Sequence, residues 1–380
     1  MMTSYERVLN TIEHKEPDRV PTGEWGIDHD HVSRIIGRHT FWRNRKDTTL
    51  ALWDNRRDEI VETMKEDYRE LIEKLDYDIV TVELVPPKDH FVKNKPKQLD
   101  DETWEDQSGR IYKYCAANDS IQCVTKNDGL FELSDEQIES AIENAGHDID
   151  DSRFELIDYF RKCFPDKVIL CRSVNIQGPI FAPYGGDYES NLMRVFLCEE
   201  ELERLGAAAV AYNRRLTEKC REKGVDIMMH GEDYGMSTGC ILAPESIRRL
   251  FFPVMTQVNS DIKAAGMIPF YHCCGNIWDI MDDYVAAGYL GYQSIQESAG
   301  MDNKTVKEKY GDKLALWTGV QCETLIEGTQ EQIDCEVRQN LDILMPGGGF
   351  IFGSTNSVQF GADTDNYLRA MELVKKYGIY

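Results

Sequence analysis

The pattern His272-x-Cys274, within YHCCGN, is the feature of this 380-residue chain with the clearest chemical potential. It closes the apolar run MIPFYHC (267–273), which reads as a strand. Side chains two apart on a strand share a face, so an imidazole and a thiol converge there while Cys273 turns the other way. Both groups suit zinc, and a catalytic zinc takes three protein ligands and leaves one position open. Two ligands do not complete such a site. The third must come from another strand end, and spacing leaves Glu232, His230, Asp233, Cys322 and Asn356 as candidates. Glu232 is the first choice, because a carboxylate can both bind the metal and act as a base. The same pattern also fits a tautomer-fixed histidine beside two buried thiols that bind nothing.

These residues need a frame that gathers strand ends. From about residue 166, short apolar runs alternate with longer segments of helical period, the signature of parallel strands joined by helical crossovers. Strands are expected at 76–84, 167–173, 226–231, 267–273, 292–296, 314–320 and 349–354, with an eighth near 18–27. Eight would close an α/β fold of the (β/α)8 TIM barrel type, with the whole chain, 1–380, as one domain and 102–125 as a small antiparallel β-hairpin insertion. The reactive groups of such a barrel stand at the C-terminal strand ends. Those ends here are polar: 230–233, 272–276, 293–297 and 354–357. The Gly- and Pro-rich stretch 176–186 is expected to wall a ligand pocket. No GxGxxG follows a strand, which removes the usual nucleotide-binding form of the competing doubly wound sheet.

Composition narrows the function classes. With 43 basic and 67 acidic residues the net charge is −24, which disfavours binding to nucleic acid or an anionic membrane. No window approaches the roughly 20 apolar residues of a membrane span, and the polar N-terminus lacks a signal-peptide core, so a soluble cytoplasmic protein is expected. The 11 cysteines are scattered and odd in number, as reduced thiols would be. Cys171, Cys198, Cys220 and Cys335 read as small buried hydrophobes. His29, His31 and His39 read as surface residues.

Several segments together resemble the uroporphyrinogen decarboxylase superfamily: TSYERVLNTIEHKEPDRVP, NIQGPIFAPYGG, GEDYG, YHCCGN, MPGGGFIFGSTNSVQ and the terminal helix. The resemblance spans nearly the whole chain and lies nearest the methyltransferase branch, typified by enzymes that move methyl groups between a corrinoid protein and a thiol such as coenzyme M. It implies a (β/α)8 barrel with its site at the open mouth. Decarboxylases of this family carry an arginine-rich motif where this chain reads Thr22-Gly23-Glu24-Trp25-Gly26-Ile27, so a polycarboxylate would meet Glu24 and Asp28 there. Glu83 stands where their central aspartate is expected.

The methyltransferase branch holds zinc through an HxC pair and a distant cysteine. His272 and Cys274 match the pair, and Asn356 stands at the distant position. The resemblance therefore implies a zinc-assisted methyltransferase with His272, Cys274 and Glu232 as catalytic and metal-binding residues. Glu83, Tyr184, His230, Gln296 and Asn356 are expected to contact substrate. Methylcobalamin or another corrinoid would be carried by a partner protein, with a small-molecule methyl donor or a thiol as acceptor, and relatives that pair suggest a homodimer. Two alternatives stay open: a metal-free decarboxylase-like lyase, and a ligand-binding barrel without catalysis.

Overall fold

A computed structural model describes residues 2–127, 129 and 132–380. Seven parallel strands form one sheet: Ile79–Val82, Val168–Val174, Ile227–His230, Ile268–His272, Gly291–Gln293, Ala315–Val320 and Phe350–Ser354. Their order in space is their order in sequence, and helices carry each return, as parallel pairing requires. Six of the expected strands match within a few residues. The seventh, expected over 292–296, stops at Gln293 because Ser294 takes a φ of 87°, outside the extended region.

The eighth strand expected near 18–27 is not regular. The segment makes two isolated parallel bridges, Thr22 to Phe352 and Ile27 to Val358. The N–H groups of Asp78 and Ile79 donate to the Thr22 carbonyl on one side, while Gly23 donates to Phe352 and Phe352 donates to Pro21 on the other. Pro21 has no N–H to contribute and the glycines at 23 and 26 weaken strand geometry, which explains why only single bridges form. The result is a seven-stranded parallel sheet whose first and last strands are both bonded to one extended segment.

Alternation along the strands sorts side chains into two cores. Leu170, Met229, Phe270, Ala315, Trp317 and Ile351 pack together with Val8 and Ile12 of the helix Ser4–Ile12. Their neighbours Ile169, Met228, Tyr271, Leu316 and Phe350 face the surrounding helices in the larger cluster. Burying each such large side chain contributes roughly 1.5–3 kcal/mol.

Local rules set the helix ends. Thr3 and Glu6 form a reciprocal capping box before the first helix. The helical stretch around 244–264 divides into Pro244–Leu250 and Phe252–Ala264, with Pro253 in the first turn of the second piece. The 176–186 stretch forms the short helix Gln177–Phe181 and a 3-10 turn, and its Gly178, Pro179 and Pro183 line an open groove against the helix Asp135–Ala145.

Three expectations change. The insertion is a four-stranded antiparallel sheet beginning at Lys97, not a hairpin beginning at 102, and Trp104 and Tyr112 pack on Trp53. His31 is buried, its ring nitrogens meeting Thr364 Oγ1 and the Gln359 carbonyl. Cys335 is exposed. Among the described residues no helix is long and apolar enough to cross a membrane.

Asp78, fully enclosed before the first strand, ties the N-terminus to the sheet. Its Oδ1 accepts from Ser4 Oγ and Arg7 Nη1, each at 2.7 Å. Its Oδ2 accepts from Arg19 Nη1 at 2.7 Å and from the Thr22 N–H at 2.9 Å. Removing the carboxylate would leave buried Arg7 only Asp18 for a counter-ion and would leave the Arg19, Ser4 and Thr22 donors without their acceptor. Asp78→Ala should therefore lose about 3 kcal/mol or more in urea unfolding. Removing the exposed Glu62 from its pair with Lys65 by Glu62→Ala, which leaves Lys65 its contact with Glu155, should stay within about 1 kcal/mol.

Candidate active site at the C-terminal strand ends

His272 ends its strand with its imidazole buried and fixed on three sides. The indole of Trp25 stacks on it, centroids 4.2 Å apart and planes within 1°. Nδ1 meets Gln293 Oε1, while Gln293 Nε2 donates to the Ser354 carbonyl at 3.0 Å and towards the Asn356 carbonyl at 3.4 Å. Those two carbonyls fix which end of the amide faces the histidine. An amide oxygen at Nδ1 requires the ring proton there, so the lone pair lies on Nε2. That nitrogen stands 3.5 Å from Cys274 Sγ and 3.8 Å from Asp233 Oδ1.

The sulfur, nitrogen and carboxylate oxygen of Cys274, His272 and Asp233 all lie within 4.8 Å of one another. Asp233 is positioned by accepting the Cys274 N–H at 2.7 Å. Two further donors point at the sulfur: Ser294 Oγ at 3.4 Å, aimed by its left-handed backbone, and Asn356 Nδ2 at 3.1 Å. Burial above all, with Asp233 adding to it, pushes the Cys274 thiol up to about 12 despite those donors. Burial likewise holds the His272 imidazole below its ordinary range, against the pull of Asp233. A neutral imidazole is ready to ligate, and the thiol gains its charge only beside a cation. A nitrogen, a sulfur and a hard oxygen form a donor set that fits zinc.

The structure separates the sequence-derived residues into groups. Glu232, the first choice for third ligand, stands outside the donor cluster. Its Oε1 accepts the N–H groups of Ile176 and Gln177, and its Oε2 meets His230 Nε2 at 2.7 Å. Asp233, one residue on, supplies the third donor atom of the cluster. His230 lies behind Glu232, with its Nδ1 on Tyr289 OH. Cys322 Sγ is held by Thr355 and Ser357, and burial pushes its thiol up to about 11. Tyr184 is buried and donates to Glu201, and Gln296 accepts the Gly275 N–H, so neither contacts the cluster. Asn356 does, through the sulfur.

A cleft of about 470 Å³ opens beside the cluster, lined by Trp25, Glu83, Arg153, Arg172, Tyr212 and Glu232, among others. Arg172 Nη2 pairs with Glu83 at 2.9 Å, and its guanidinium lies 4.9 Å from the Trp25 ring. Partial burial opposes the Glu83 charge, but Arg172 and Arg43 outweigh it and hold the carboxyl below its ordinary range. Trp25 thus carries Arg172 and His272 against the same indole and joins the cleft to the cluster. Gly231 permits this: a Cβ there would stand 2.6 Å from the Trp25 ring. Sequence reading passed over Trp25, Arg153 and Arg172, because they come from an irregular segment, a 3-10 turn and mid-strand, away from any strand-end motif.

Glu24 and Asp28, which the sequence placed before a substrate, face inward. Asp28 pairs with Arg43 at 2.7 Å. Glu24 accepts from Ser354 N–H and Oγ in full burial.

The family model for uroporphyrinogen decarboxylase (URO-D) matches residues 184–377. Among solved structures, a methyltransferase from Methanosarcina mazei aligns over 99% of both chains at TM-score 0.66 and 15% identity, a likeness of fold. A sugar phosphate isomerase/epimerase from Parabacteroides distasonis aligns over 93% of this chain and 95% of its own at TM-score 0.39 and 8% identity. No curated protein matches the chain.

Burial raises the Glu24 carboxyl from 4.5 to about 8, the Ser354 donors only partly opposing it. The folded state thus holds a proton that the unfolded chain releases earlier. Its contribution to stability is complete below about pH 4.5 and is lost as pH rises through about 8. Urea unfolding should show stability falling between pH 5 and 8, by on the order of 4 kcal/mol at most. Glu24→Gln should flatten that decline.

Proposed function

Because the chain belongs to the uroporphyrinogen decarboxylase family, we propose that it is a zinc-assisted methyltransferase, moving a methyl group between a small molecule and the corrinoid of a partner protein. The observation that carries this reading is the convergence of Asp233, His272 and Cys274 donor atoms at the C-terminal edge of the sheet. The fold shared with the Methanosarcina mazei methyltransferase supports it. Asp233, His272 and Cys274 are the proposed ligands.

When bound, zinc would supply Lewis acidity to a thiol acceptor or to the heteroatom of a methyl donor. The chain's own residues do the rest. Gln293 keeps the Nε2 lone pair of His272 facing the site. Ser294 and Asn356 hold the Cys274 sulfur once it is anionic, and Trp25 fixes the imidazole plane and excludes water from that face. Beside Asp233 the helix Tyr188–Leu197 leaves Tyr188, Met193, Phe196 and Leu197 exposed. Apolar side chains of that size grouped on one exposed helix suit a docked protein that brings its cofactor to the strand ends.

Protein purified from zinc-replete medium should carry about one zinc per chain by elemental analysis. Cys274→Ala and Asp233→Ala should lose it, whereas Glu232→Gln should keep it. Demethylation of methylcobalamin in the presence of a thiol, followed by absorbance, should disappear when the metal is dialysed out. Undiminished transfer by the metal-free protein would reject the zinc step.

A further inference from the structure

The cleft beside the cluster has an unbalanced set of polar groups. Two carboxylates face it, and both are already satisfied: Glu83 by Arg172, and Glu232 by two backbone N–H groups and His230. Arg153 is different. Its Nε donates to the Val85 carbonyl at 3.3 Å, yet among the described residues no acceptor meets its two terminal nitrogens and no carboxylate pairs with it.

The remaining lining adds donors. The Ser173 oxygen accepts the Leu84 N–H at 3.1 Å and its hydroxyl is engaged by the Cys171 sulfur, so Ser173 is already satisfied. Asn175 Oδ1 accepts the Gly178 N–H at 2.7 Å, so the other end of that amide, its NH2, is the donor left over. Among the described residues the Tyr212 hydroxyl has no hydrogen-bond partner, and burial, with Arg153 opposing, raises its pKa, so it stays a protonated donor. A guanidinium without a counter-ion, together with a phenol and an amide NH2 around one space, calls for an occupant rich in acceptors.

We propose that this cleft binds the oxyanion end of a small organic substrate, a carboxylate or sulfonate, with Arg153 as its counter-ion. The planar guanidinium can take two oxygens of such a group side by side, and about 470 Å³ suits a small molecule. Arg172, locked between Glu83 and Trp25, sets the field around the site and shapes its wall. As the assignment of a substrate, this rests on the reading of the neighbouring donor cluster; as a binding site, it stands on the cleft alone. No cleft residue named here ligates the proposed metal.

Calorimetric titration with benzoate and with methanesulfonate tests it and separates the two anion types. At least one should bind saturably, one per chain. Arg153→Met should weaken that binding about tenfold or more, with Arg153→Lys between the two. Tyr212→Phe, which keeps the ring, should weaken it by a smaller factor and guards against a folding defect in the arginine variants. Protein stripped of metal by a chelator should bind the anion as the untreated protein does. Failure of both anions to bind, binding indifferent to Arg153→Met and Tyr212→Phe, or binding that vanishes with the metal would each overturn the proposal. None of these outcomes depends on whether methyl transfer occurs.

Discussion

The enclosed carboxylate of Asp78 is the constraint on which the site depends. It accepts from the first helix, from Arg19 and from the Thr22 backbone at once. An ion in that position is stable only while every donor stays in place. The extended segment that follows is thereby pinned between the first and last strands of the sheet. Three residues beyond Thr22 comes Trp25, whose ring settles on His272. The chemistry at one end of the sheet is thus aligned by a charge at the other, through a short stretch of chain that lacks regular structure of its own.

Within the site, desolvation and hydrogen bonding act in opposite directions, and their balance defines its character. Burial disfavours both an imidazolium at His272 and a thiolate at Cys274. Asp233 favours positive charge at the same point. The three groups are therefore most compatible when a cation sits among them. The neighbouring residue Glu232 is spent differently: one of its oxygens accepts the N–H groups that begin the helix Gln177–Phe181, and the other meets His230. One residue along the chain separates a structural carboxylate from a candidate ligand.

Most of the strand framework was legible in the sequence, since hydrophobic runs and helical period report burial directly. The HxC pair was legible for the same reason: period two on a strand fixes which side chains share a face. The choice between Glu232 and Asp233 was not, because both follow the strand in an irregular stretch where no period assigns a direction. The eighth position of the sheet was expected near 18–27, but not its irregularity, which comes from Pro21 and two glycines. Tyr184 looked like a pocket residue from its Gly- and Pro-rich surroundings, yet that stretch folds into a helix and turn that send its hydroxyl to Glu201. Arg153 and Arg172 escaped notice because a charge in a sequence says nothing about whether a counter-ion awaits it.

The position of Trp25 bears on how this protein could change over time. An imidazole and a guanidinium lie against one indole, and a glycine opposite leaves no slack. A smaller ring at residue 25 would abandon both neighbours, and any bulk at residue 231 would displace it. Substitutions that retune the cleft and substitutions that retune the donor cluster are therefore not independent. Divergence within this lineage must pass through coordinated changes on the two sides of a single aromatic plane.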